Sequence, residues 1–246
     1  MAIIVVGGSN RGVGKTSLIC GLIAALTEYR WTAVRIAGHE HPLTVSSARA
    51  QSFEGAAAQA PQGARTLSFR QFWERTTGAR VEKPMPVPVA AGGPIWEETI
   101  SGDDSDTGRF LAAGAKRALL MSAPDGELAE PLNQLWPRFG RGTNLIFESN
   151  SVVHHVRADA CLLIHGVAER GLPLPERKPS FLAALRHGDA MVARARVDKV
   201  IPDGLCLAGT EATLTAKPIF HLADLERVSP ELLAWVRGKL DTSLHS

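Results

Sequence analysis

Gly7-Gly8-Ser9-Asn10-Arg11-Gly12-Val13-Gly14-Lys15-Thr16-Ser17 decides the fold. The run before it, Ala2–Val6, is continuously apolar and rich in β-branched residues, the pattern of a strand buried on both faces. The run after it, Lys15–Tyr29, places Leu18, Ile19, Leu22, Ile23 and Leu26 at helical spacing. A glycine-rich loop between a buried strand and an amphipathic helix is an anion cradle, because successive backbone N–H groups and a helix N-terminus converge there. Gly12 and Gly14 let the backbone approach phosphate without a Cβ. In such a loop the Lys15 ammonium reaches the β/γ-phosphates and the Thr16 hydroxyl ligates Mg²⁺. The expected nucleotide-binding set is Gly8, Ser9, Asn10, Arg11, Gly12, Val13, Gly14, Lys15, Thr16 and Ser17.

Outward from the loop, Thr32–Ala37 is a second β-type run, so strand, helix and strand form a right-handed βαβ unit with a parallel sheet. The middle of the chain is less regular. Val45–Ala60 reads as helical, and Leu67–Thr76 carries Phe69, Phe72 and Trp73 at helical spacing. Lys83–Pro94 is too rich in proline for a regular element, and Trp96–Gly108 is polar and acidic. Residues from about 40 to 108 are therefore expected to be an insertion of substrate-side loops over the sheet edge. Alternation then resumes. A helix end is expected at Phe110–Gly114, and helix at Glu127–Phe139, Ser180–His187 and Pro230–Lys239, the last capped by Ser229. Strand is expected at Ala118–Ser122, Thr143–Phe147, Asp159–His165, Ala190–Ala195 and Pro218–His221. Repeated βα units argue for one doubly wound α/β domain over 1–246, with a mostly parallel sheet and helices on both faces.

Composition limits the alternatives. The chain has 246 residues, 45% hydrophobic and 21% charged, with a formal net charge of +2. That excludes a disordered chain. No apolar run of about 18 residues is present, which argues against a membrane span. The start lacks a basic n-region, and Cys20, Cys161 and Cys206 are widely spaced, so a reducing cytoplasm is the expected location. Arg outnumbers Lys 20 to 7, read as base-composition bias, and no basic stripe with interleaved aromatics points to nucleic acid.

Counted from Gly8, the loop is one residue longer than the common form, which has Gly where this chain has Ser9. The variant G-x-x-x-G-V-G-K-T resembles the P-loop subclass that includes dethiobiotin synthetase, cobyric-acid-type amidotransferases and the MobB-type molybdopterin-guanine dinucleotide adaptor. Three further segments resemble the MobB type in the same order: Gly38-His39-Glu40-His41; Asp106-Thr107-Gly108-Arg109 followed by Ala113-Gly114-Ala115; and Asn144–Asn150, with Glu148 at the family's acidic position. Together these cover about residues 1–60 and 105–168. Ser105 replaces the family's Lys and Ser149 its Gly, and the chain is longer than a typical MobB protein. The resemblance implies a P-loop NTPase fold, Mg²⁺, GTP in preference to ATP, slow hydrolysis, and a role in molybdenum cofactor assembly with a partner enzyme.

On the residues themselves, Glu148 ends a parallel strand beside the loop strand, where this fold places its ligand site. It is expected to join Thr16 at the metal, or to orient a water. Lys15, Glu148 and Arg11 form the expected catalytic set, with Arg11 reaching a γ-phosphate in cis, or in trans across a homodimer. His39, His41, Asp106 and Arg109 are candidates for a second substrate; Asp104 and Asp106 read equally as part of a solvated acidic loop. Arg194 and Asp198 are candidates for the base, and His154-His155 a weaker metal pair. An ATP-dependent small-molecule kinase or ligase of the dethiobiotin synthetase type is the alternative to the adaptor. A regulatory switch driven by γ-phosphate ordering of the middle loops is a third reading.

Overall fold

The computed structural model describes residues 1–37, 87–88, 94–103, 105–123, 126–140, 142–165, 178–194 and 217–244. Its strands are β1 (Ile3–Gly8), β2 (Thr32–Ala37), β3 (Val87–Pro88), β4 (Ile95–Glu98), β5 (Arg117–Ser122), β6 (Leu145–Glu148), β7 (Ala160–His165), β8 (Ala190–Arg194) and β9 (Ile219–Leu222). They form one sheet in the order β3-β4-β5-β2-β6-β1-β7-β8-β9. Every pair from β5 to β9 is parallel, while β4 is antiparallel to both β5 and β3. The helices are α1 (Lys15–Ala25), α2 (Asp106–Ala112), α3 (Ala129–Leu135), α4 (Pro179–Ala184) and α5 (Pro230–Leu244).

The continuous apolar run of β1 serves two cores at once. Ile4 and Val6 point to one face and join Leu18, Ile19 and Leu22 of α1 and Leu232, Val236 and Leu240 of α5. Ile3 and Val5 point to the other face and join Leu132 and Leu135 of α3 and Phe181 of α4. The period-two alternation of a strand thus splits one sequence between two helical layers, which is the doubly wound α/β arrangement. Burying each such aliphatic side chain contributes about 1.5–3 kcal/mol. No helix among the described residues is long and apolar enough to cross a membrane.

Several boundaries differ from those the sequence suggests. Helix α1 stops at Ala25, and Thr27–Tyr29 continue as a 3₁₀ turn. The Trp31 indole N–H donates to the Leu26 carbonyl at 3.0 Å, which satisfies that helix-end acceptor and fixes the exit. The stretch expected to be irregular between 83 and 108 contributes to the sheet. Val87–Pro88 pair with Glu97 and Trp96, and proline is tolerated there because β3 is the edge strand. Ile95–Glu98 pair with β5 and bury Ile95, so the polar residues beside it hid a half-buried strand. Helix α2 runs from Asp106 to Ala112, so its last turn falls where a helix end is expected, and Ser105 caps its start: its hydroxyl accepts from the Gly108 N–H at 2.9 Å. The expected helix over Glu127–Phe139 shortens to Ala129–Leu135 and gives way to a 3₁₀ turn that carries Pro137. Helix α4 runs from Pro179 to Ala184, with the proline in its first turn. Helix α5 begins at Pro230 as expected and extends to Leu244. The helical readings of Val45–Ala60 and Leu67–Thr76 lie outside the described residues.

Candidate functional site

The glycine-rich loop joins the C-terminal end of β1 to the N-terminus of α1. Gly12 has φ +74° and Gly14 φ +101°, the left-handed region that favours glycine. Gly14 also has a packing reason to lack a side chain, since a Cβ there would lie 2.2 Å from Leu225 Cδ1. Leu225 stands in the loop before α5, so that loop backs the start of α1.

Lys15 and Thr16 open α1 and meet Glu148, the last residue of β6. The Thr16 hydroxyl donates to Glu148 Oε2 at 2.9 Å, and Lys15 Nζ lies 3.9 Å from Oε1. The register places Glu148 opposite Val6 of β1 and Arg35 of β2, so one carboxylate sits between the phosphate-loop strand and a cation. Arg35 Nη1 lies 3.7 Å from Glu148 Oε2 and forms a second ion pair with Asp106. Burial holds the Lys15 ammonium below its ordinary pKa. The Glu148 carboxylate opposes that fall, while Lys178 and Arg35 add to it.

A second layer surrounds this centre. Arg109 on α2 lies 3.9 Å from Asp106, donates to the Ser17 hydroxyl at 3.0 Å and pairs with Glu226 at 2.6 Å. Asp106 is thus shared by two arginines, one reaching Glu148 and one reaching the first turn of α1. The start of α2 is anchored in turn by Glu98, at the end of β4. Its buried carboxylate accepts from Thr99 N, Ile100 N, Ser105 Oγ and Thr107 Oγ1 at 3.0–3.2 Å. The loop is also gripped from beneath. The Gly8 N–H donates to Asn150 Oδ1 at 2.7 Å, the Ser9 N–H to the Ile164 carbonyl at 2.9 Å, and the Lys178 N–H to the Ser9 carbonyl at 3.1 Å.

A buried parallel strand, a loop with left-handed glycines, a Lys-Thr helix start and a neighbouring strand-end carboxylate are all in place. The architecture is a P-loop fold. No protein-family model matches the chain, and no curated protein matches it. Among solved structures it is similar to LpxK from Aquifex aeolicus, crystallised in complex with ATP. The match has 14% identity and a TM-score of 0.42, and covers 90% of this chain and 53% of that one, so this chain spans about half that protein's length.

Within the P-loop fold, Lys15, Thr16, Ser17, Glu148, Asp106 and Arg109 converge on one end of the sheet. Arg11 is exposed on the loop. Asn10 accepts a hydrogen bond from the Ser9 hydroxyl at 2.6 Å. Gly8 and Ser9, expected among the nucleotide-binding residues, donate their N–H groups to Asn150 and Ile164. His39, His41, Asp104 and Asp198 lie outside the described residues, and Arg194 is the last residue of β8, paired with Leu222. The His154 ring packs edge-on against His187, at 4.8 Å between centroids. Sequence reasoning passed over Arg35, Glu98, Asn150 and Lys178. Arg35 had a signal, a cation inside the otherwise apolar run Ala33–Ala37. Asn150, two residues past Glu148, had none that spacing reveals.

Proposed function

We propose that the protein binds a nucleoside triphosphate with Mg²⁺ and hydrolyses or transfers its γ-phosphate slowly. The observation that carries this reading is the meeting of Thr16, Lys15 and Glu148 at the mouth of a loop built on Gly12 and Gly14. The donor set fits Mg²⁺: a hydroxyl and a carboxylate at hydrogen-bond distance are hard oxygen ligands, and this ion is commonly held by one or two such groups together with phosphate oxygens. Thr16 and Glu148 would hold it, and it would neutralise charge on the β/γ-phosphates. Lys15 adds a charge-assisted hydrogen bond to the same oxygens. The resemblance to MobB-type proteins favours GTP and an adaptor role in cofactor assembly, with the homodimer and the Arg11 contact as parts of that reading. Isothermal titration with ATP and GTP, each with Mg²⁺, tests it. Binding of at least one is expected; binding of neither overturns the proposal.

The second reading is a small-molecule phosphotransferase. The observation favouring it is the Arg35–Asp106–Arg109 cluster beside Glu148, two cations and a carboxylate each 23–34% exposed. Turnover stimulated many-fold by a metabolite supports this reading, and turnover stimulated only by a protein partner supports the adaptor.

A further inference from the structure

Asn150 is built into the phosphate loop more closely than any packing need requires. Its side-chain amide makes two hydrogen bonds to a single residue: Oδ1 accepts from the Gly8 N–H at 2.7 Å, and Nδ2 donates to the Gly8 carbonyl at 3.0 Å. That is the pattern one strand presents to its neighbour. The β1–β6 register runs from Ile3↔Leu145 to Val6↔Glu148, and the Ser149 N–H still donates to the Val6 carbonyl at 3.1 Å. Beyond that point the backbone of residues 151–155 turns away into a 3₁₀ turn, and Ser149 Oγ accepts the Ser151 and Val152 N–H groups at 3.1 and 3.2 Å. The Asn150 amide therefore stands in for the missing peptide and carries the ladder on to Gly8, the first residue of the G-x-x-x-G-V-G-K-T loop. Both partners belong to one residue, one a donor and one an acceptor, so the orientation of the amide is fixed.

Gly7 is the complement to this arrangement. A Cβ at Gly7 would lie 2.7 Å from Asn150 Oδ1, so the amide enters only because position 7 has no side chain. Asn150 also reaches across to α4, where Nδ2 lies 3.4 Å from Ser180 Oγ. Two residues earlier the Lys178 N–H holds the Ser9 carbonyl, and Lys178 is one of the charges that act on Lys15. The Gly8 carbonyl and the Ser9 N–H belong to one peptide, held by the Asn150 amide on one side and by the Ile164 carbonyl on the other; Asn150 is the only side chain among these partners, and it also holds the Gly8 N–H.

We propose that Asn150 is a positioning residue for phosphate binding: it touches no ligand, and acts by fixing the Gly8 peptide so that the loop is already shaped when the anion arrives. This rests on the phosphate-binding reading of the loop. Preorganisation of this kind acts on affinity, because a loop left to choose its conformation must be ordered when the ligand binds.

The test is titration of Mg²⁺-pyrophosphate, which engages the loop without a base, into the wild type, Asn150→Leu and Asn150→Asp. Leu keeps the bulk and removes both hydrogen bonds; Asp keeps the acceptor for the Gly8 N–H and loses the donor. Each folded variant is expected to bind at least about ten-fold more weakly, with a stoichiometry near one. A residue that merely supports folding would lower the stoichiometry and leave Kd where it was, and that result overturns the proposal. Wild-type affinity in Asn150→Leu overturns it too, because packing alone would then suffice. If Asn150→Leu does not fold, Asn150→Ala, which removes both hydrogen bonds without adding a charge, is decisive by the same criterion. Absence of binding by the wild type is a different failure, since it removes the phosphate-binding reading itself.

Discussion

At the scale of single residues, Lys15 sits where its charge is poorly solvated, and this separates stability from function. The buried ammonium has its pKa held below the unfolded value of 10.5. The unfolded chain therefore binds the proton more tightly, and the charged lysine opposes folding at neutral pH. That contribution relaxes as pH rises through the folded pKa towards 10.5, so stability from this group increases with pH in that window. Lys15→Met is accordingly expected to raise the melting temperature of the ligand-free protein at pH 7 while weakening nucleotide binding by at least about ten-fold. Losing one charge-assisted hydrogen bond, worth roughly 1.5–3 kcal/mol, suffices for that. Differential scanning calorimetry and titration on the same sample check both halves. A variant that binds nucleotide normally, or that melts below the wild type, contradicts the account. In a network where Glu148 also serves Thr16 and Arg35, the carboxylate keeps partners when Lys15 is gone.

At the scale of elements, the join between the loop and α1 is the sensitive point. Gly14 is left-handed at φ +101° and abuts Leu225. Gly14→Ala adds backbone strain of about 1–2 kcal/mol, before any clash is counted. Leu225→Ala in the same chain removes the obstructing methyl but not the strain. The double variant is expected to recover part of the Gly14→Ala loss, less the cavity left by Leu225, and denaturant melts of the four proteins in the cycle read this coupling. If the two effects simply add, Leu225 does not press on Gly14. The same elements show what was legible beforehand. Loop, β1 and α1 were readable because local pattern and tertiary role agree: every residue of β1 is apolar or glycine and all are buried. The start of helix α2 and β4 were not, because their polar residues face one another. Glu98, Ser105 and Thr107 look like a solvated acidic loop in sequence, yet they satisfy each other inside the fold. Asn150 was illegible for a similar reason. It is a side chain acting as a backbone, and periodicity carries no record of that.

At the scale of the whole molecule, the antiparallel extension of the sheet has its own charge pair. Arg117 on β5 donates to both oxygens of Glu97 on β4, at 2.7 and 2.9 Å. The side-chain hydrogen bond from Arg117 is the largest influence on Glu97 and holds its pKa below 4.5. A depressed carboxylate pKa contributes stability that is present above about pH 4.5 and lost as pH falls through the folded value. Both groups are about one third exposed, so solvent screening limits the effect to less than about 1 kcal/mol. Arg117→Gln is expected to lower stability by that amount at pH 7 and by progressively less as pH falls through the folded pKa of Glu97. A difference that persists in acid assigns the loss to packing.

Ligand linkage then acts on the molecule as a unit. The nine strands of the described residues share one sheet, and both helical layers rest on β1, the strand that carries the phosphate loop. A ligand seated on that loop touches the element that the two cores have in common, so its binding free energy should appear in the melting of the whole. At a free concentration of 100 times Kd the native state gains about 2.7 kcal/mol. For a chain of this size each kcal/mol raises the melting temperature by roughly 2–4 °C. Mg²⁺ with ATP or GTP is therefore expected to move a single calorimetric transition upward by roughly 5–10 °C. Lys15→Met and the Asn150 variants should reach the shift only at proportionally higher ligand concentration. A split transition, with only one part responding to nucleotide, would show that the two layers do not melt together and that β1 does not couple them.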